Sequence, residues 1–220
     1  MIDTLQDFER RVEEIEIYFN FLENIINRNP KLFYSDTEEY EPIDREMTKI
    51  LKANGFLLLY NLAESSIKKA IEEIYIELKK KNVAYEDIRT ELKKVILKNF
   101  KDCNTNNLLM VENISIDIVS KCFDSEKIIS GNIDSKKIRD FAKNYGFSYE
   151  TDARITKNGR GLLTVKDNRN NLAHGIFSFC DCGKEHTIED LLKIKQEVIS
   201  YLKEILKNIE KYLINEDYRQ

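Results

Sequence analysis

Only two histidines occur in this chain of 220 residues, at positions 174 and 186. Histidine is the side chain whose ordinary pKa permits proton exchange near pH 7, so acid–base chemistry by histidine must use one of these two. Asn170 lies four positions before His174, which puts both side chains on one face of a helix, and Arg169 is adjacent. A guanidinium binds phosphate oxygens, an imidazole exchanges a proton, and an amide orients a hydroxyl or a ring. Together, these three residue types suit the cleavage of a phosphodiester.

Basic side chains cluster just before His174. Five of them lie between positions 154 and 169 against the single acid Asp167, so this stretch carries a net charge of +4 in a chain whose total is −4. The five are Arg154, Lys157, Arg160, Lys166 and Arg169. A basic strip on an acidic protein favours a localised polyanion site, such as an RNA cleft, over general coating of nucleic acid. A solvated loop is the alternative, and a salt titration of RNA binding separates the two.

A cysteine-rich segment follows the histidine. Cys180, Cys182 and His186 form a Cys-x-Cys-x3-His pattern with three candidate zinc ligands. A structural zinc site needs a fourth ligand, and a spacing of one residue is tighter than usual, so free thiols are favoured over a metal. The chain has only four cysteines, which is too few for a disulfide scaffold. This low number predicts that the protein resides in a reducing compartment. We expect neither a metal nor a cofactor.

Composition narrows the fold to a helical one. Seven glycines and two prolines are too few for collagen-like, low-complexity or turn-rich all-β chains, and 42% hydrophobic residues can fill a core. The first residues are charged, and the longest uncharged apolar-rich stretch, residues 55–63, is too short for a bilayer. We therefore expect one soluble domain over residues 1–220 that is cytoplasmic and has no membrane partner.

Apolar residues at helical spacing predict the elements that position the candidate site. The predicted helices cover about 4–28, 43–80, 85–100, 114–123, 135–145, 162–175 and 188 to about 213. The expected caps are Asp3 for the first helix, Pro42 in the first turn of the second, Ser135 and Gly146 at the two ends of the fifth, and a capping box at Thr187 for the last. A bend is expected at Gly55, and a strand is the alternative for 114–123. The segment around Cys180 is predicted to be a loop. Such helices pack best as an up-and-down bundle, in which residues 101–161 form an insertion or lid.

Three segments of this sequence carry a resemblance to a known family. The first is Arg-Asn-Asn-Leu-Ala-His-Gly at 169–175, followed by Ser178-Phe179. The second is residues 130–139 with Tyr145-Gly146 after them, and the third is Leu-Tyr-Asn-Leu-Ala-Glu at 59–64. They resemble the HEPN superfamily, and within it the MAE-type HEPN-like nucleases of prokaryotic defence and toxin loci; residues 169–175 are similar to the family signature and the most specific match, and 59–64 are the loosest. The similarity extends from about residue 56 to 200. A cysteine pair with a histidine departs from that branch.

The resemblance implies a helical homodimer whose two signature helices meet near the twofold axis in one composite cleft. It also implies metal-independent RNA cleavage, in which the ribose 2′-hydroxyl attacks the adjacent phosphate and leaves a cyclic phosphate. Under this resemblance His174 is the general acid or base, Arg169 stabilises the phosphorane, and Asn170 positions the reacting groups. By family analogy, a partner such as a nucleotidyltransferase-type antitoxin controls the enzyme.

Auxiliary residues complete the expected site. Lys166, Asn171, Arg160 and Lys157 are candidates for RNA binding, and Glu64 on the second long helix is a candidate to hold Arg169 or His174, although a glutamate in such a helix usually faces solvent. The favoured hypothesis is a ribonuclease that acts as a toxin or antiphage effector. The alternative is a non-catalytic helical module that binds a partner protein or a nucleotide.

Overall fold

The computed structural model describes residues 1–103, 114–120, 123–124 and 131–220. Helices dominate these residues, which confirms the all-α fold class. The helices are α1 (Ile2–Arg28), α2 (Arg45–Lys80), α3 (Thr90–Lys101), α4 (Ile114–Ser120), α5 (Ser135–Tyr145), α6 (Ala153–Thr156), α7 (Arg160–Ala173), α8 (Phe179–Lys184) and α9 (Ile188–Ile214). Single 3-10 turns occur at Tyr85–Asp87 and Lys157–Gly159. Cys122, in the predicted helix 114–123, and Ser130, the first residue of the resembling segment 130–139, lie outside the described residues.

Helix α2 is the centre of the hydrophobic core. It packs against α1, α4, α7, α8 and α9. Its buried side chains are apolar almost all round the helix, as expected for an element covered on several sides, and they include Phe56, Leu59, Leu62 and Ile71. Gly55 lies inside the unbroken helix α2, and a Cβ there would lie 3.1 Å from the Phe19 ring, so the missing side chain lets α1 and α2 approach closely. The predicted bend at Gly55 stays a prediction.

The ends of the helices confirm some predicted caps and correct others. The capping box between Thr187 and Asp190 is present at the start of α9, and Gly146 closes α5 in the left-handed conformation. Asp134, rather than Ser135, caps α5, because its carboxylate accepts the N–H of Lys137 at 2.8 Å. Asp3 is also not a cap, since α1 already begins at Ile2.

A β-hairpin replaces the predicted polar loop after α1. Strands β1 (Lys31–Tyr34) and β2 (Glu39–Pro42) are antiparallel, and all eight of their residues are exposed. The prediction that Pro42 opens α2 is therefore wrong, and Asp44 caps that helix. Cross-strand contacts explain the difference: the Phe33 and Tyr40 rings lie 4.9 Å apart, and the Tyr34 hydroxyl donates to Glu41.

Two further boundaries differ from the predictions. The third helix begins at Thr90 rather than at Tyr85, because Ile88 forms an isolated antiparallel bridge with Arg219 and leaves helical geometry there. Residues 179–184 are a short helix and not a loop. The close packing of this helix on α2 places Gly183 directly against the Lys49 carbonyl.

Within the ranges described, no helix is both long and apolar enough to cross a bilayer. Cys180 and Cys182 form no disulfide, whereas Cys103 is disulfide-bonded. That bond differs from what the low cysteine content predicts, because pairing depends on which thiols meet in space rather than on how many the chain has.

Candidate functional site

The candidate site forms at the carboxyl end of α7. The helix ends at Ala173, and the N–H of His174 still donates to the Asn170 carbonyl at 3.0 Å. Gly175 then adopts a φ of +67°, which reverses the chain so that the N–H of Ile176 donates to the Asn171 carbonyl at 2.8 Å. His174 therefore sits at the last turn of the helix, where its side chain is exposed.

Arg169 is held by an aromatic ring and by neutral acceptors. The guanidinium carbon lies 4.6 Å from the centroid of the Tyr60 ring, and Nη1 donates to Asn170 Oδ1 at 3.0 Å and to the Gly131 carbonyl at 3.5 Å. Among the described residues, no carboxylate pairs with it. Its orientation is thus fixed, and its positive charge is not neutralised by any carboxylate within the described ranges, an arrangement that can accept a phosphate.

Asn170 links this arginine to a neighbouring segment. While Oδ1 accepts from Arg169, Nδ2 donates to Asn132 Oδ1 at 3.2 Å. The amide therefore connects α7 to the short stretch that precedes α5. In this arrangement the amide orients the guanidinium, and the expected role of Asn170 in positioning the reacting groups stays a prediction.

Tyr60 on α2 contacts both Arg169 and the 131–133 segment. Its hydroxyl accepts the N–H of Ile133 at 3.2 Å, and the side chain is buried. Burial raises the pKa of Tyr60, and the nearby Glu64 carboxylate acts in the same direction. The phenol therefore stays neutral at pH 7 and holds the 131–133 segment beside Arg169.

Lys166 has a carboxylate partner. Its Nζ lies 2.7 Å from Oδ2 of Asp134, the residue that caps α5. The hydrogen bond to Asp134 raises the pKa of Lys166. Burial opposes ionisation of Asp134, but hydrogen bonds from Lys166 and from the Lys137 N–H together lower its pKa. Lys166 thus ties α7 to α5, and the prediction that it also contacts RNA is not tested by this pair.

No hydrogen bond joins His174 to Arg169 in the described part of the chain. Five helical positions separate them, which corresponds to about 7.5 Å along the axis and a rotation of about 140°. The His174 imidazole has no hydrogen-bond partner among the residues that the structure describes, although Asn170 is its neighbour one turn earlier. A single chain therefore presents the cation and the imidazole on different sides of α7.

The other predicted auxiliary residues lie at varied distances from this centre. Asn171 is half-buried and contributes its carbonyl to the turn after the helix. Glu64 is half-buried near Tyr60 and forms no ion pair with Arg169 among the described side chains. Lys157 and Arg160 lie at the opposite end of α7, and Arg160 is about 14 Å from Arg169 along the helix axis.

The three candidate zinc ligands have separate surroundings. The Cys182 thiol is buried and donates to Asn168 Oδ1 at 3.3 Å, whereas the Cys180 thiol faces the Glu46 carbonyl at 3.9 Å. The His186 ring packs edge-on against Phe56. No group of three potential ligands that could hold a metal occurs among the described residues. Burial raises the pKa of Cys182, which keeps that thiol protonated at neutral pH.

Sequence reasoning missed the support beneath the arginine. Tyr60, Asn132 and Asp134 all contact signature-helix residues, yet they come from elements remote in sequence. The similarity of residues 59–64 and 130–139 to the resembled family was the only signal that pointed to these segments. Their contacts follow from packing, which spacing within one helix does not reveal.

A family model described as MAE_28990-like HEPN matches residues 3–218. No curated protein and no solved structure matches the chain. The matched range covers almost the whole sequence and includes the Arg169–His174 segment, Tyr60 and the 131–134 stretch.

Proposed function

Because the chain belongs to the MAE_28990-like HEPN family, we propose that it is an endoribonuclease that needs no metal ion and acts at the Arg169–His174 site. One observation carries the proposal. Arg169 is fixed by Tyr60 and Asn170 without a neutralising carboxylate among the described residues, and the signature helix ends in an exposed His174. A charge that is oriented but not neutralised suits an anion that the protein must bind and release.

In the proposed reaction, the ribose 2′-hydroxyl oxygen attacks the adjacent phosphorus. The O2′–P bond forms and the P–O5′ bond breaks, which leaves a 2′,3′-cyclic phosphate and a 5′-hydroxyl. His174 accepts the proton of the 2′-hydroxyl or donates a proton to the departing 5′ oxygen. The Arg169 guanidinium stabilises the negative charge that grows on the phosphorane, and Asn170 keeps the guanidinium in place.

The separation of Arg169 from His174 supports a site completed by a second chain. In a homodimer, two signature helices bring two guanidinium groups and two imidazoles to one cleft, so one imidazole can act as base and the other as acid. Ile176 is 64% exposed, and Phe177 and Phe179 beside it are also exposed. Burial of these exposed apolar side chains against a second copy of the chain would be favourable.

We further propose that the enzyme works in the cytoplasm as a toxin or antiphage effector, under the control of an antitoxin or other regulatory protein. Apart from RNA, that regulator and a second copy of the chain, the proposal requires no partner or cofactor. Its support is the family alone.

Cleavage of total RNA in EDTA tests the activity. The wild type should generate new ends that carry cyclic phosphate. His174→Ala should lose about 10²–10⁴-fold in rate because it removes the proton-transfer group, and Arg169→Ala should lose about 10²–10³-fold. Arg169→Lys should also be impaired, since a lysine cannot reproduce the planar contacts with Tyr60 and Asn170.

Arg10→Ala is the matched control, because Arg10 lies on the surface of α1 and, within the described ranges, pairs with Asp7 alone. It should cleave like the wild type. If folded wild-type protein cleaves nothing, or if the Arg169 and His174 variants cleave as well as Arg10→Ala, the catalytic assignment fails. The non-catalytic, partner-binding module then takes its place.

A further inference from the structure

The exposed face of α7 runs from His174 to the other end of the helix. Arg160, Thr164, Asp167, Asn171 and His174 recur at spacings of four and three positions, so they form one stripe along the helix. All five are exposed or half-exposed. Fourteen positions separate the first from the last, which corresponds to about 21 Å. The stripe is therefore a continuous path that leads away from the imidazole.

A groove lies where this path ends. It has a volume of about 480 Å³ and lies between the beginnings of α7 and α9. Lys157 and Arg160 line it from the α7 side, and His186 and Lys193 line it from the α9 side. We call this feature the α7–α9 groove.

Three cations face the α7–α9 groove. Lys157 Nζ donates to the Arg154 carbonyl at 2.8 Å and forms no ion pair with a residue that the structure describes. Arg160 and Lys193 form neither an ion pair nor a side-chain hydrogen bond with any residue that the structure describes. Burial lowers the pKa of His186, so its half-buried ring adds no charge at pH 7.

Two acids also line the groove. The Asp190 carboxylate is engaged at the start of α9, where Oδ2 accepts from the Thr187 hydroxyl at 2.9 Å and from its N–H at 3.2 Å. Glu197 is half-exposed and has no hydrogen-bonding or ionic partner among the described residues. The three cations outnumber the two acids, so the lining of the groove carries a net positive charge. Of the two carboxylates, Glu197 is the one without a partner among the described residues.

We propose that the α7–α9 groove binds the backbone phosphates of an RNA strand whose scissile phosphate lies at His174. This inference rests on the proposed ribonuclease activity and adds a second contact region to it. At the 3.4 Å rise of a stacked strand, 21 Å corresponds to about six nucleotides. A long RNA therefore reaches both regions, whereas a trinucleotide reaches only the catalytic one.

The test compares a 12-nucleotide RNA with a trinucleotide as cleavage substrates. Arg160→Gln combined with Lys193→Gln should lower kcat/KM for the 12-mer about 10-fold, through KM, because two phosphate contacts are lost. Cleavage of the trinucleotide should not change. Lys207→Gln is the matched control, because Lys207 is an exposed lysine on α9 fourteen positions beyond Lys193 and outside the groove.

Binding to the 12-mer provides a readout that does not depend on catalysis. In a His174→Ala background, the Arg160/Lys193 double variant should reduce the slope of log affinity against log salt by about 1.4, since a single strand contributes about 0.7 per phosphate contact. Glu197→Gln should act in the opposite direction and strengthen binding about threefold, because it removes the unengaged carboxylate.

The possible failures are distinguishable. If the double variant cleaves and binds the 12-mer like Lys207→Gln, or if it loses the same factor on both substrates, the groove proposal is overturned while the nuclease stands. If the wild type neither binds nor cleaves either RNA, the proposed function itself falls, and the groove proposal falls with it.

Discussion

At the scale of single residues, the candidate site combines an oriented guanidinium with an exposed imidazole that has no hydrogen-bond partner in the described part of the chain. Arg169 has its orientation determined by a ring, an amide and a carbonyl, whereas His174 projects from the end of its helix. The identities of both residues, and of Asn170, are apparent from the sequence. Tyr60 is a site residue that only the structure reveals. Its ring contacts Arg169 and its hydroxyl accepts the N–H of Ile133, and substitution can separate these two contacts.

Tyr60→Phe should lower the free energy of unfolding by about 1–3 kcal/mol, because the buried N–H of Ile133 loses its acceptor. It should keep most of the RNA cleavage, since the ring beneath Arg169 remains. Tyr60→Leu should lose further activity, because the contact between cation and ring is worth about 0.5–2 kcal/mol. Urea unfolding and cleavage rates measure the two effects.

Tyr149→Phe is the matched control for the phenol, because Tyr149 is exposed and should tolerate the change without effect. Equal cleavage by Tyr60→Leu and Tyr60→Phe, measured where both are folded, would show that the ring does not support Arg169.

At the scale of elements, the position of the site depends on how α7 and α8 pack against α2. Helix α8 packs so closely on α2 that a Cβ at Gly183 would lie 1.9 Å from the Lys49 carbonyl. This contact holds the segment that follows His174. The sequence predicted a loop here, because six residues are too few for helical periodicity to be recognised.

Gly183→Ala should therefore destabilise the protein by about 2–3 kcal/mol, because overpacking against a backbone carbonyl forces the two helices apart. The same substitution in an unconstrained helix would stabilise it by about 1 kcal/mol, so the sign of the effect is informative. Denaturant unfolding followed by circular dichroism measures it.

Gly175→Ala serves as the comparison. A Cβ at Gly175 meets nothing within 4 Å, but its φ of +67° is unfavourable for alanine, so the expected loss is about 1 kcal/mol. A Gly183→Ala protein as stable as the wild type would contradict the close packing of α8 on α2.

At the scale of the whole molecule, the proposed activity depends on a second chain. On helical geometry, Arg169 and His174 leave α7 about 140° apart. Exposed apolar side chains, among them Ile176 and Phe177, lie at the end of the signature helix. The homodimer itself is a prediction of the family resemblance. Light scattering at micromolar concentration should give twice the chain mass of 26.0 kDa.

Ile176→Asp should shift this dimer towards monomer and lower RNA cleavage in parallel, because a carboxylate would be buried in the contact. Ile17→Asp on α1 is the control, since Ile17 is 71% exposed and distant in sequence from the signature. A wild type that cleaves RNA as a monomer, or an Ile176→Asp protein that remains dimeric and active, would overturn the composite site.

The sequence by itself determined the helical class, most of the extent of α1, α7 and α9, the Thr187 capping box and the three signature side chains. These features depend on local spacing, which reports helical periodicity and the faces of one helix directly. Only the tertiary structure decided that Tyr60 lies beneath Arg169, that Asp134 pairs with Lys166, and that residues 31–42 form a hairpin. Such contacts join elements whose separation along the chain carries no information about their distance in space, so packing of the core had to bring them together.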